Sequence, residues 1–354
     1  PVVVGETSIR SPRPSPDGKS MLVTRGRGDL MLVNLEDLSQ RVIFEGWDEP
    51  DVQWCSDSRH IIYSVNDVYF NADIWVHDTG NPEASPVNVT RHPDLDVSPW
   101  LSADGKVLYF LSDRDADSNG EFSLYTVNLD RKLDGLSTYE LADYFKEAAE
   151  NAKKRKPVGA EAKAPATKKG KGDDAKKADE PAAGEGAKDA DAKAAANDDA
   201  KPEVKEAKKP EPLKFDLDDA YLRVRRLVSN PGGVGDVACT PGGERVLYSA
   251  STDGATALFS VDYKGKEKKT VTTGAVNRLS FNLAGDKVIF VSAGEATIGK
   301  PTGGEAEKMS IDAPVIIEIE KQQKQKFLEA ARLLGDGFYH PTLKGLDWST
   351  LTKR

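Results

Sequence analysis

The sequence predicts an all-β protein: a β-propeller of four-stranded antiparallel blades, five of them visible in an incomplete ring, with a disordered insert and a short C-terminal helical segment. Three observations predict it. A short turn sequence recurs five times, an apolar triplet follows each copy at a fixed offset, and a charged low-complexity tract interrupts the series without breaking its register.

The turns are Ser15-Pro16-Asp17-Gly18-Lys19, Cys55-Ser56-Asp57-Ser58-Arg59, Ser102-Ala103-Asp104-Gly105-Lys106, Thr240-Pro241-Gly242-Gly243-Glu244 and Asn282-Leu283-Ala284-Gly285-Asp286. The triplets are Met21-Leu22-Val23, Ile61-Ile62-Tyr63, Leu108-Tyr109-Phe110, Val246-Leu247-Tyr248 and Val288-Ile289-Phe290. Such a unit is a hairpin: the fourth turn residue needs positive φ, which Gly supplies without a Cβ penalty, and the β-branched and aromatic triplet forms the strand that follows. Ser58 is the one non-Gly occupant of that position.

A third strand is predicted at Asp29 to Val33, Asp73 to His77, Phe122 to Val127, Ala257 to Val261 and Ala296 to Lys300. A fourth is predicted at Arg41 to Phe44, Pro86 to Thr90, Leu222 to Val228, Lys268 to Thr272 and Glu305 to Ile311. Four short antiparallel strands per repeat make a propeller blade. Residues 1–130 hold blades 1 to 3, residues 131–212 are the charged insert, and residues 213–313 complete the third blade and add two more. The third blade is therefore split. Pro1 to Arg13 reads as the end of an earlier segment, so upstream blades are expected.

Within the insert, Glu150 to Glu211 contains no aromatic residue and few large aliphatics, too little apolar surface to offset chain entropy. Before it, Leu141, Tyr144 and Phe145 stand at helical spacing, which predicts one short helix decorating the surface.

From Lys321 the period changes again, and Phe327, Ala331 and Leu334 fall on one helical face with Gly335 as a stop signal. Residues 314–354 thus begin a different, helical domain.

Composition limits the function classes. The chain is acidic, with net charge −9 and no basic stripe, which argues against nucleic acid as a partner. Arg223, Arg225 and Arg226 read as a solvated strand face. Cys55 and Cys239 read as small buried hydrophobes rather than a disulfide framework. No apolar run is long enough to span a membrane.

The sequence offers no nucleophile elbow to pair with His60, His77, His92 or His340, so no residue is assigned as catalytic, cofactor-binding or metal-binding, and no cofactor is implied. Gly233 to Ala238 matches a dinucleotide fingerprint, but a hairpin follows it where a helix is needed. Asp17, Asp57 and Asp104 share one repeat position, as a turn requirement predicts, and Arg27-Gly28-Asp29 sits in a loop between two blade strands.

Phe327 to Arg332, then Asp336-Gly337-Phe338-Tyr339-His340-Pro341 and Gly345-Leu346-Asp347-Trp348, resemble the opening of the core domain in bacterial tricorn-like proteases. There a propeller runs into A-x-R-x-x-x-D-x-F-Y-x-P and then G-x-D-W. The strand Phe215 to Asp219 after a long charged insert is similar too; Lys344 stands where many relatives have His. The resemblance covers essentially the whole chain outside the insert.

It implies the propeller part of a tail-specific serine peptidase, filtering peptides or unfolded protein toward PDZ-like and catalytic domains beyond Arg354, with other copies of the chain as further partners. The rival reading is a TolB-like propeller scaffold that binds proteins without catalysis. The compartment, bacterial cytoplasm or periplasm, is left open.

Overall fold

A computed structural model describes residues 8–115, 121–156, 211–252, 254–310, 316–337 and 343–352. Among the described residues, twenty strands fall into five separate four-stranded antiparallel sheets. Blade 1 is β1 (Ile9–Pro14), β2 (Ser20–Arg25), β3 (Asp29–Asn34) and β4 (Gln40–Phe44); blade 2 is β5 (Asp51–Trp54), β6 (His60–Asn66), β7 (Ala72–Asp78) and β8 (Val87–Asn88). Blade 3 is β9 (Asp96–Leu101), β10 (Val107–Ser112), β11 (Ser123–Asn128) and β12 (Arg225–Val228). Blade 4 is β13 (Val234–Cys239), β14 (Arg245–Thr252), β15 (Ala255–Asp262) and β16 (Lys269–Thr273), and blade 5 is β17 (Val276–Phe281), β18 (Val288–Ser292), β19 (Glu295–Gly299) and β20 (Glu307–Lys308). In every sheet the strands lie in sequence order, so no blade borrows a strand from another.

All five turns behave as the repeat requires. Gly18, Gly105, Gly243 and Gly285 have φ between 70° and 76°, and Ser58 accepts φ 57°. The turn aspartates anchor their own hairpins: Asp17, Asp57 and Asp104 accept from the backbone N–H two residues on, at 3.1, 3.0 and 3.2 Å.

The continuous apolar triplets follow from burial on both faces of each sheet. On β10, Val107, Tyr109 and Leu111 enter the core shared with blade 4, while Leu108 and Phe110 enter the core shared with blade 2. On β14, Val246 and Tyr248 face blade 3 and Leu247 faces blade 5. Hydrogen bonds lace the turns together. Asp17 N–H donates to Ser58 Oγ at 3.0 Å, the Ser56 hydroxyl to the Ala103 carbonyl, and Ala103 N–H to the Pro241 carbonyl at 2.7 Å.

The structure departs from the sequence reading in several places. Ile9–Pro14 is the inner strand of blade 1, not the tail of an earlier segment; it pairs with β2 through a bulge that disguises its alternation. The fourth strand of blade 3 begins at Arg225, because Ala220–Arg223 forms a 3₁₀ turn. Arg223 is half-buried rather than on a solvated strand face: its guanidinium donates to the carbonyls of Asn128 and Asp216 and pairs with Asp134 at 2.9 Å and Asp219 at 3.2 Å. β20 is two residues long rather than spanning Glu305 to Ile311.

In the insert, a 3₁₀ turn, Arg131–Gly135, precedes the helix that Leu141, Tyr144 and Phe145 predict, α1, Thr138–Lys153, opened by a Ser137/Glu140 capping box; its packing is the further departure. α1 is not a surface decoration. Phe145 is 2% exposed and stacks on Tyr263 at 4.0 Å in the core between blades 3 and 4. The remainder, 157–210, lies outside the described residues. The chain resumes against blades 2 and 3, with Leu213, Phe215 and Leu217 packed on their shared core.

The C-terminal helix α2 spans Ile319–Gly337, running through Gly335. A Cβ on Gly335 would lie 2.8 Å from Trp348 Nε1, so glycine serves close packing rather than a stop. Trp348 donates to the Ala331 carbonyl at 2.8 Å; of the three predicted face residues, Ala331 is buried while Phe327 and Leu334 are exposed. Phe338 to Pro341 lies outside the described residues.

Candidate functional site: the channel walled by the inner strands

The inner strands β1, β5, β9, β13 and β17 share a feature that the turn register locates. Four residues before each turn stand Ser11, Asp51, Ser98, Asp236 and Arg278. Four of these have positive φ, 49°, 54°, 36° and 58° for Ser11, Ser98, Asp236 and Arg278, and each of the four strands has a register shift there. A non-glycine residue in this region costs about 1 to 2 kcal/mol. Recurrence at equivalent positions marks a built device, since bulges re-aim side chains. β5 alone pairs without a shift.

Every residue at this level is polar. Burial pushes the Asp51 carboxyl up, opposed in part by Arg13 and the Ser98 hydroxyl. Burial likewise pushes Asp236 up, with the Ser249 hydroxyl donating to it at 3.3 Å. The Ser11 hydroxyl donates to Glu49, whose carboxylate lies 3.9 Å from Arg10.

Toward the turns the lining changes character. A cavity of about 200 Å³ is bounded by residues of all five blades: Pro16, Trp54, Trp100, Pro241 and Phe281 supply apolar walls, and Arg155, just after α1, supplies the one charge. Trp54 is fixed by its Nε1–H donating to the Arg13 carbonyl at 2.9 Å.

The residues singled out from sequence lie elsewhere. His60 sits beside its turn, Nδ1 at 2.6 Å from Asp57 Oδ2 and its ring edge-on to Phe215. His77 is buried on β7, and His92 pairs with Asp94 at 3.5 Å. His340 lies outside the described residues. Among the described residues no serine hydroxyl or thiol hydrogen-bonds a histidine ring. Cys55 and Cys239 are free and buried. Residues 234–238 of the apparent dinucleotide fingerprint lie in strand β13. Gly28 of Arg27-Gly28-Asp29 is set by packing: a Cβ there would meet the Asp48 carbonyl oxygen at 2.0 Å. Sequence reasoning missed the inner-strand ring and Arg155; the ring was signalled by polar residues at one repeat position.

No family model matches the chain. A Sulfurisphaera tokodaii protein named as a tricorn-like protease C-terminal subunit is 28% identical over 124 residues, which cover 34% of this chain and 14% of that protein. Among solved structures, the tricorn protease superposes with TM-score 0.62 at 17% identity, over 99% of this chain and 30% of its own. A TolB from Agrobacterium tumefaciens gives TM-score 0.50 at 16% identity, over 87% of this chain and 82% of its own. The chain thus spans under a third of the length of either tricorn-type relative. The five blades and those similarities show a propeller fold like that of the tricorn protease.

Proposed function

We propose that the chain is the propeller module of a tricorn-like serine peptidase, holding extended peptide in its channel and guiding it toward PDZ-like and catalytic domains of the same protein, with other copies as further partners. The observation that carries this is the layered channel wall: a polar ring at the level of Asp51, Asp236 and Arg278, and an apolar mouth at Trp54, Trp100 and Phe281. An extended peptide presents the same two demands, backbone groups that need hydrogen-bond partners and side chains that gain from leaving water. Residues 314–354 then begin the peptidase core domain.

The test is photo-crosslinking with a benzoylphenylalanine-containing peptide, followed by mapping of the adducts. Adducts on Trp54, Trp100 or Phe281 support the reading. Adducts confined to the outer rim would sink it in favour of the TolB-like scaffold. That second reading draws on the hairpin tip Val68-Tyr69-Phe70, 72%, 86% and 70% exposed, with Phe70 edge-on to Trp47 at 5.1 Å.

A further inference from the structure

Arg155 is an unusual arginine for this chain. It closely follows α1, so Phe145, buried against blades 3 and 4, fixes where it emerges. It lines the cavity at the turn end of the channel and the groove beside it bounded by Asp104, Lys106, Tyr144 and Glu147. Half-buried guanidinium groups ordinarily find a carboxylate, because desolvation without a counter-charge is costly. Among the described residues Arg155 has no ion pair and lies over no aromatic ring, and burial alone pushes its pKa down.

None of the carboxylates on that groove pairs with Arg155. Asp104 accepts from Ser102 Oγ at 2.6 Å, from Tyr144 OH at 2.7 Å and from Lys106 N–H at 3.2 Å. The Lys106 ammonium pairs with Asp130 at 3.5 Å, and Glu147 is exposed on α1. Among the described residues this cation, at the lip of an aromatic-walled cavity, has no anion. The space, about 200 Å³, suits one or two residues rather than a cofactor.

We propose that this mouth recognises a carboxylate carried beside an apolar side chain on an extended peptide, Arg155 taking the carboxylate while Trp54, Trp100 and Phe281 surround the side chain. The proposal rests on the reading that peptide occupies the channel. The carboxylate is either an acidic side chain or the peptide's own C-terminus.

Calorimetric titration of the whole chain decides it, using acetylated peptides Ala-Ala-Phe-Glu-Ala and Ala-Ala-Phe-Gln-Ala as amides, and the glutamine peptide as the free acid. A side-chain carboxylate predicts that the glutamate peptide binds about tenfold or more tightly than its glutamine twin. A main-chain carboxylate predicts the same margin for the free acid over the amide. Either preference disappears in Arg155→Met and survives in part in Arg155→Lys, with melting temperatures unchanged. Equal affinities in wild type and Arg155→Met would overturn the assignment of Arg155 and leave the channel reading standing. Failure of every peptide to bind would overturn both.

Discussion

The Leu213 backbone N–H donates to Asp57 Oδ2 at 2.9 Å, so the chain returning from the insert is latched to the turn of blade 2 before it completes blade 3. The same carboxylate accepts from the His60 ring and from the N–H groups of Arg59 and His60.

Asp57 should therefore make stability pH-dependent. Burial pushes its pKa up, but the hydrogen bonds from His60, Leu213 and Arg59 outweigh this and hold it well below the usual carboxylate range. With a folded pKa below the unfolded value of about 3.9, its contribution is complete at neutral pH and is lost as pH falls below about 4. Asp57→Asn should cost about 2 to 3 kcal/mol at pH 7 and flatten the acid limb of a urea-unfolding series.

Asp96 is fully buried, and Arg114 Nη2 donates to both its oxygens at 2.7 Å. Arg114→Leu leaves that carboxyl without its cation. The expected loss is about 3 to 5 kcal/mol by denaturant unfolding. Asp96→Asn combined with Arg114→Leu should recover part of it.

Phe145→Ala should cost about 3 to 5 kcal/mol, since it empties a site between Tyr263 and the blade 3 and 4 core. Protease cleavage within 138–153, followed by mass spectrometry, would show whether α1 detaches. A cost under about 1 kcal/mol would mean that α1 is peripheral after all.

At Arg278, with φ 58° on an exposed stretch of β17, the backbone should matter more than the side chain. Arg278→Gly is expected within about 0.5 kcal/mol of wild type, while Arg278→Val costs about 1 to 2 kcal/mol. Comparable midpoints for the two would argue against the bulge.

Cys55 and Cys239 are buried, and burial pushes both thiols up. A thiol reagent at pH 8 should label neither until the chain unfolds. Labelling should track the unfolding transition in denaturant.

The blades were legible because turn and strand chemistry repeat: positive φ falls at Gly18, Ser58, Gly105, Gly243 and Gly285, where the register put it. The inner strands were harder. Their bulges break the alternation that announces a strand, so Ile9–Pro14 read as the end of an earlier segment. Arg223 misled because arginines two apart look the same on a solvated strand and on a 3₁₀ turn that folds one of them inward. Arg155 carried no signal. It is one cation among many near the charged tract, and only the docking of α1 brings it to the channel mouth.

The split in blade 3 also has a consequence in time. β11 ends at Asn128 and its partner β12 begins at Arg225, so on a ribosome adding about 5 to 20 residues per second the outer edge of β11 waits on the order of 5 to 20 s for its neighbour. During that wait its unpaired N–H and C=O groups are open to pairing with another nascent chain. α1 is made within that interval, so blade 3, already beside blade 2, gains a packing partner from the insert long before its last strand exists.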